Sequence, residues 1–76
     1  MVTYQIIKEL INHPELGNYY SYGICAFLDK KEIAHISDVF LEKDTAIKFV
    51  QKCNQLKLDP IHLSEVIENE LLTLHI

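Results

Sequence analysis

The sequence predicts an α+β fold in which strands come first and helices follow. Residues 19–27, "YYSYGICAF", are rich in the aromatic and β-branched side chains that favour strands. After Phe40 the apolar residues recur at steps of three and four, which is the period of an amphipathic helix. Residues 59–71, "DPIHLSEVIENEL", open with Asp followed by Pro, as the start of a second helix does.

The composition excludes several classes of protein. The chain has 76 residues, of which 49% are hydrophobic and 24% charged, and this balance is typical of a globular chain. Its longest uninterrupted apolar run, residues 24–28, is far shorter than the ~20 residues needed to cross a bilayer, and the N-terminus lacks the pattern of a signal peptide. We therefore expect a single domain, residues 1–76, in the cytosol and not in a membrane.

The charge pattern argues against nucleic-acid binding. The formal net charge is −4, with three Lys against five acidic residues in residues 1–40 and four against six in residues 41–76. All seven cations are Lys, so the planar fork with which Arg contacts phosphates and guanine is missing. A polyanion held by Lys48 and Lys52 is the least favoured hypothesis.

Residues 2–12 fit two kinds of element. Four apolar residues form one stripe of a helix: Ile6, Ile7, Leu10 and Ile11. Tyr4, Ile6 and Leu10 also fit one face of a strand, although periodicity alone favours the helix. Residues 13–20, "HPELGNYY", contain the Pro, Gly and Asn that a chain reversal uses.

The Tyr-rich segment is predicted as a strand with two partly covered faces. One face carries Tyr20, Tyr22, Ile24, Ala26 and Leu28, and the other carries Tyr19, Ser21, Gly23, Cys25 and Phe27. Because Gly23 has no side chain to pack, it predicts a bulge, a bend or the close approach of a group that crosses the sheet. Residues 29–32 predict a polar turn, and residues 33–40 a return strand in which His35 is a half-exposed imidazole without a functional role.

Two helices complete the chain. The first is predicted at residues 42–56, with its apolar stripe at Ala46, Phe49, Val50, Cys53 and Leu56. In the second, Asp59 caps the amides of the helix start, Pro60 takes the first helical position, and His62 belongs to that capping turn. Its apolar stripe is Leu63, Val66, Ile67, Leu71 and Leu74.

Two segments, "YSYGICAF" and "CNQLKLDPIHLSEVIENEL", resemble a family of small bacterial proteins known only as a domain of unknown function. The matching positions are Tyr22, Gly23, Ile24, Asp38, Cys53, Asn54, Pro60, Ile61 and His62. The resemblance implies that residues 3–11 form a strand paired with the Tyr-rich one, and it implies no activity or ligand. The predicted fold is then a three-stranded antiparallel sheet followed by a two-helix hairpin packed on one face. Phe40 and Leu41 stand where a hydroxyl cap of the first helix would be expected.

Sites for metals, cofactors and catalysis are not indicated. The possible metal ligands are His13, His35, His62, His75, Cys25 and Cys53, and no two of them lie at ligand spacing within one element. With two glycines in the chain there is no Gly-rich phosphate loop. The sequence therefore predicts no metal, no cofactor and no catalytic residue, and it disfavours an enzyme.

The tyrosines carry the leading functional hypothesis. Tyr19, Tyr20 and Tyr22 lie close together on one strand, and tyrosine is favoured at interfaces because it combines apolar area with a polar tip. We expect an interaction or regulatory module that binds a protein partner, or a second copy, through this face or edge. The alternative is a purely structural role, in which the tyrosines only line the edge of the core. The rival hypothesis is a small-molecule binder or minor enzyme that uses Cys53, Asn54 and His62 at the turn between the helices.

Overall fold

The protein forms a three-stranded antiparallel sheet followed by two helices, which confirms the predicted α+β architecture. The structure is a computed structural model and describes residues 1–74, apart from the side chain of Leu74. The elements are β1 (Val2–His13), β2 (Gly17–Leu28), β3 (Lys31–Phe40), α1 (Lys43–Gln55), a 3-10 turn (Pro60–His62) and α2 (Leu63–Leu74). No helix within residues 1–74 is long and apolar enough to span a membrane.

Strand β1 pairs with β2 along its whole length. The sheet order is β1-β2-β3, and the β1–β2 register runs without interruption from Val2 opposite Leu28 to His13 opposite Gly17. The strand that the resemblance implied for residues 3–11 is therefore confirmed, and the helix that periodicity alone favoured is wrong. Each residue of β1 has a partner on β2, and this pairing outweighs a helical pattern in the apolar residues.

Strand β3 departs from regular pairing at two places. The turn from β2 consists of Asp29 and Lys30 only, so the predicted turn at residues 29–32 is too long by two residues. The pairing then shifts twice, between the partners of Ala26 and Phe27 and between those of Tyr22 and Ile24. Each shift adds residues to β3, so the simple alternation of faces that the sequence suggested is not kept along this strand.

The helices cover the face of the sheet that carries Tyr22, Ile24 and Ala26. The buried cluster contains Tyr4, Ile24, Ala26, Val39, Phe40, Ala46, Phe49, Val50, Cys53, Leu63 and Ile67. Phe40 and Phe49 join β3 to α1, with ring centroids 5.4 Å apart and a tilt of 56°. We call the opposite face, which carries the odd-numbered residues of β1 and β2, the open face.

The helix starts follow the predicted chemistry with one difference. At Asp59 the carboxylate Oδ1 accepts a hydrogen bond from the Ile61 amide (3.1 Å), as expected of a cap. The first turn after it, Pro60–His62, is a 3-10 turn and not an α-helical one. Helix α1 begins after Glu42, whose side chain makes no capping hydrogen bond, so the missing hydroxyl cap noted in the sequence is not replaced. The predicted stripe residue Leu74 and the candidate ligand His75 lie outside the side chains that the structure describes.

Candidate functional site

The three predicted tyrosines occupy three different environments. Tyr20 points to the helix side of the sheet, yet 60% of it remains exposed because the helices end short of it. Tyr22, on the same side, is half-buried against the core. Tyr19 points to the open face, since neighbouring residues of a strand alternate. The cluster seen in the sequence is therefore divided between the two faces of the β1–β2 hairpin.

Tyr20 belongs to a small exposed group at the end of the hairpin. Leu10 lies directly opposite it on β1 and is 55% exposed. The ammonium of Lys8 lies 4.5 Å from the centroid of the Tyr20 ring, which is within the range of a cation–π contact. This contact favours one orientation of the ring and leaves it exposed.

Tyr19 lines a shallow cleft on the other side of the same hairpin end. Its hydroxyl donates to Asp38 Oδ2 (2.7 Å), and this bond raises the pKa of Tyr19 because it favours the protonated phenol. The cleft measures about 430 Å³ and is lined by Leu16, Tyr19, Asp38, Val39 and Leu41. We call Leu10, Leu16, Tyr19, Tyr20 and Leu41 together the hairpin-end surface.

The outer edge of β1 is closed at one position and open beyond it. At Tyr4 the amide donates to Asn54 Oδ1 (2.8 Å) and the carbonyl accepts from Asn54 Nδ2 (3.1 Å). Main-chain groups alternate along an antiparallel strand, so those of Ile6, Lys8 and Leu10 point the same way as those of Tyr4. Within residues 1–74 no hydrogen-bond partner reaches them. The edge is therefore open next to the hairpin-end surface.

The residues of the rival hypothesis have separate surroundings. Cys53 is 2% exposed, and burial raises the pKa of its thiol. Asn54 is engaged with β1, and His62 is exposed, with Nδ1 3.9 Å from a carboxylate oxygen of Glu65. A cleft of about 570 Å³ at this end of the protein is lined by Asn54 but by neither Cys53 nor His62. A ligand site at this turn stays a prediction.

A polar cluster on the open face was not anticipated from the sequence. Glu9 lies opposite Ser21, and its carboxylate crosses β2 at Gly23 to reach β3. There it contacts His35 Nε2 (3.2 Å) and accepts hydrogen bonds from Ser37 Oγ (3.1 Å) and the Asp38 amide (3.3 Å). A Cβ atom on Gly23 would lie 2.5 Å from Glu9 Oε1, so only glycine leaves room for this crossing.

His35, predicted only as a half-exposed imidazole on the return strand, lies between two carboxylates. Besides Glu9 at Nε2, its Nδ1 lies 3.8 Å from Glu32 Oε1. The first register shift of β3 causes this, because it sets Glu32 opposite Phe27 and His35 opposite Cys25, both on the open face. In a regular strand, residues three apart would point to opposite faces.

Cys25 completes this cluster. Its thiol is 4% exposed, and one ligating atom each of Cys25, Glu32 and His35 lie within 4.8 Å of one another. Burial, with the hydrogen bond and charge of Glu32 and the charge of Glu9, raises the pKa of the Cys25 thiol to about 11. The thiol alone is therefore protonated and weakly nucleophilic at neutral pH.

The one sign of this cluster in the sequence was Gly23, for which a bulge, a bend or the close approach of a group that crosses the sheet was predicted. The structure has the crossing group, Glu9, and also a register shift of β3 between the partners of Tyr22 and Ile24. Glu9 itself carried no signal, because an acidic residue on a strand is ordinary unless its partner is known. The register shifts that set Glu32 beside His35 are properties of the folded sheet.

These features define a small α+β sheet protein with one face under helices, one face crossed by hydrogen bonds, and an exposed hairpin end. Residues 1–73 match the sequence model of a family of unknown function, DUF6514. This chain belongs to that family. No curated protein and no solved structure matches the chain.

Proposed function

We propose that this protein is a small single-domain interaction module that binds a partner protein through its hairpin-end surface. The observation that carries the proposal is the exposure of large apolar side chains there. Leu10 is 55% exposed, Leu16 75%, Tyr20 60% and Leu41 69%. Apolar groups that surround one end of a sheet in this way favour a protein interface, because burying them removes apolar area from water.

Of the two tyrosines of this surface Tyr20 is exposed and Tyr19 half-buried, and each already has a polar or charged partner in the free protein. Tyr19 is held by its hydrogen bond to Asp38, and Tyr20 by the ammonium of Lys8. Side chains that are ordered before binding lose less conformational entropy in the complex, which favours affinity. Tyr22 has a different role in this proposal: half-buried below Tyr20, it supports the surface.

The open edge of β1 gives the partner a second kind of contact. The unpaired main-chain groups of Ile6, Lys8 and Leu10 can accept an extended segment as a fourth strand. Leu10 belongs to both the edge and the hairpin-end surface. A partner with an extended, apolar segment therefore fits both features at once.

We place this module in the cytosol of a bacterium. The bacterial source follows the family resemblance, and the compartment is supported by Cys25 and Cys53, which are both free thiols, as in a reducing environment. The net charge of −4 and the even spread of the seven Lys support a protein partner over a nucleic acid.

The test compares two exposed residues on different surfaces. The tagged protein is captured from cells that make it, alongside Tyr20→Ala and the control Leu72→Ala, which removes a 66% exposed side chain of α2. Sedimentation of the purified protein determines whether the partner is a second copy. We expect Tyr20→Ala to lose a stoichiometric partner while its circular dichroism and melting temperature stay unchanged, and Leu72→Ala to retain the partner. Equal retention by both variants would refute the proposal.

A further inference from the structure

The open face brings three metal-ligating side chains together from two strands. Cys25 on β2 and His35 on β3 are register partners, and Glu32 joins them through the first register shift of β3. One ligating atom from each lies within 4.8 Å of the other two. Bond lengths of about 2.0–2.3 Å at tetrahedral angles put two ligands of one ion about 3.3–3.8 Å apart. A pair at the 4.8 Å limit must therefore close by about 1.0–1.5 Å to share one ion, and rotation of the exposed Glu32 side chain supplies this movement for its own carboxylate.

His35 is oriented for coordination through Nδ1. Its Nε2 lies 3.2 Å from Glu9 Oε2, and a carboxylate can only accept a hydrogen bond, so the neutral tautomer that fits this contact carries its proton on Nε2 and its lone pair on Nδ1. Nδ1 is the nitrogen that faces Glu32 Oε1, at 3.8 Å, which is too long for a hydrogen bond. A carboxylate on the far nitrogen of a ligating histidine is a common arrangement around protein metal ions, since it fixes both the tautomer and the ring.

Glu9 is itself held in place. Ser37 Oγ and the Asp38 amide both donate to its carboxylate, and the space above Gly23 lets it cross from β1. Thus three strands contribute to the position of one imidazole. By comparison, His62, the other histidine with a carboxylate three residues away, has this contact from its own segment only.

We propose that Cys25, Glu32 and His35 bind a divalent cation of the zinc class, with Glu9 as the carboxylate that positions His35. A thiolate, an imidazole and a carboxylate form a donor set that suits Zn²⁺, whereas Mg²⁺ and Ca²⁺ take oxygen ligands. As the bond from sulfur to the metal forms, the thiol proton passes to solvent. Glu32 and His35 are exposed, so the fourth position of a tetrahedral ion faces solvent and can hold a water or a ligand from another molecule. This proposal does not depend on the hairpin-end surface.

The test uses Co²⁺ as a spectroscopic probe for the metal. The reduced, chelator-treated full chain is titrated with Co²⁺, and thiolate-to-metal absorption in the near ultraviolet and d–d bands in the visible are recorded. We expect both sets of bands at about one Co²⁺ per chain, and we expect Zn²⁺ to displace the Co²⁺. His35→Gln should lose the binding. Glu9→Gln should weaken it about 10-fold or more, as loss of an outer carboxylate does.

Matched controls separate this site from incidental binding. His62→Gln removes the other histidine with a carboxylate three residues away, and Cys53→Ala removes the other buried thiol. Both should keep the full spectrum, whereas Cys25→Ala should lose the thiolate band. If Cys25→Ala does not fold by circular dichroism, His35→Gln, which alters an exposed side chain, carries the test. Absence of Co²⁺ bands, or bands that persist in His35→Gln, would overturn the proposal.

Discussion

At the scale of single residues, the open face depends on one missing side chain. Gly23 leaves space on the central strand. Through this space Glu9 contacts the side chains of His35 and Ser37 and the main-chain amide of Asp38, all on β3. The sequence predicted a bulge, a bend or a close approach at Gly23, without naming the residue that makes the approach. The partner could not be inferred because it depends on the register of β1 with β2, which no local pattern encodes.

Replacing Gly23 should destabilise the protein through two contacts. The new Cβ of Gly23→Ala would lie 2.5 Å from Glu9 Oε1 and 2.8 Å from the Ile36 carbonyl oxygen. We expect a loss of about 1–3 kcal/mol in the free energy of unfolding, measured with urea. Adding Glu9→Ala should recover part of this loss, because the main-chain contact remains. In contrast, Glu9→Ala should recover none of the stability lost in Gly17→Ala. Gly17 has a φ of +79°, which strains any other residue, and no atom lies close to the position of its Cβ. Strict additivity of Gly23→Ala and Glu9→Ala would contradict this account.

The buried thiol of Cys53 should make stability depend on alkaline pH. Burial raises the pKa of Cys53 in the folded state, although the charge of Lys52 opposes part of the effect. Below the ordinary thiol pKa both states keep the proton, so this contribution is constant. As pH rises above that value, the unfolded chain releases the proton first and the folded state loses stability.

A single thiol such as Cys53 changes the free energy of unfolding by at most about 1.4 kcal/mol per pH unit. Urea unfolding between pH 8 and about 10, with chelator present, should give a shallower slope for Cys53→Ala than for the parent chain. Cys25 and Tyr4, whose pKa values are also raised, remain in both proteins and keep part of the slope. Identical slopes in the two proteins would show that Cys53 titrates alike in both states.

At the scale of elements, the helices were predictable and the strand pairing was only partly so. Helix α1 carries Ala46, Phe49, Val50 and Cys53 on one side, and all four are buried. The helix could be predicted because its apolar residues recur with the helical period within one continuous segment. Strand β1 was ambiguous because Ile6 and Leu10 fit either period. The register shifts in β3 could not be read from residues 31–40, since a bulge is defined by the opposite strand.

Asn54 adds a polar contact between α1 and the edge of β1, beside the buried apolar contacts that join the two elements. Its side chain makes two hydrogen bonds to the main chain of Tyr4, so Asn54→Ala leaves a partly buried amide and carbonyl without partners. We expect a loss of about 1–2 kcal/mol in unfolding free energy and faster hydrogen exchange at the Tyr4 amide. Gln55→Ala, an exposed neighbour in the same helix, should change neither quantity. Unchanged exchange at Tyr4 in Asn54→Ala would contradict this role.

At the scale of the whole molecule, the sheet is longer than the helical layer that covers it. The β1–β2 hairpin pairs over twelve residues on each strand, whereas the core cluster reaches along β2 only as far as Tyr22. The two helices cover one face of this sheet, and small domains have little stability to spare for exposed apolar area. The hairpin end lies beyond this covered part of the sheet, and it is the surface that we propose binds a partner.

The most direct test of the proposed interface places a photocrosslinking amino acid at Leu10 or at Leu72 in cells that make the protein. Leu10 is 55% exposed and Leu72 66%, so a partner could reach a crosslinker at either position about equally well. We expect irradiation to produce a discrete protein adduct from position 10, at the junction of the hairpin-end surface and the open β1 edge, and none from position 72. Adducts of equal yield at both positions, or none at position 10, would contradict the account.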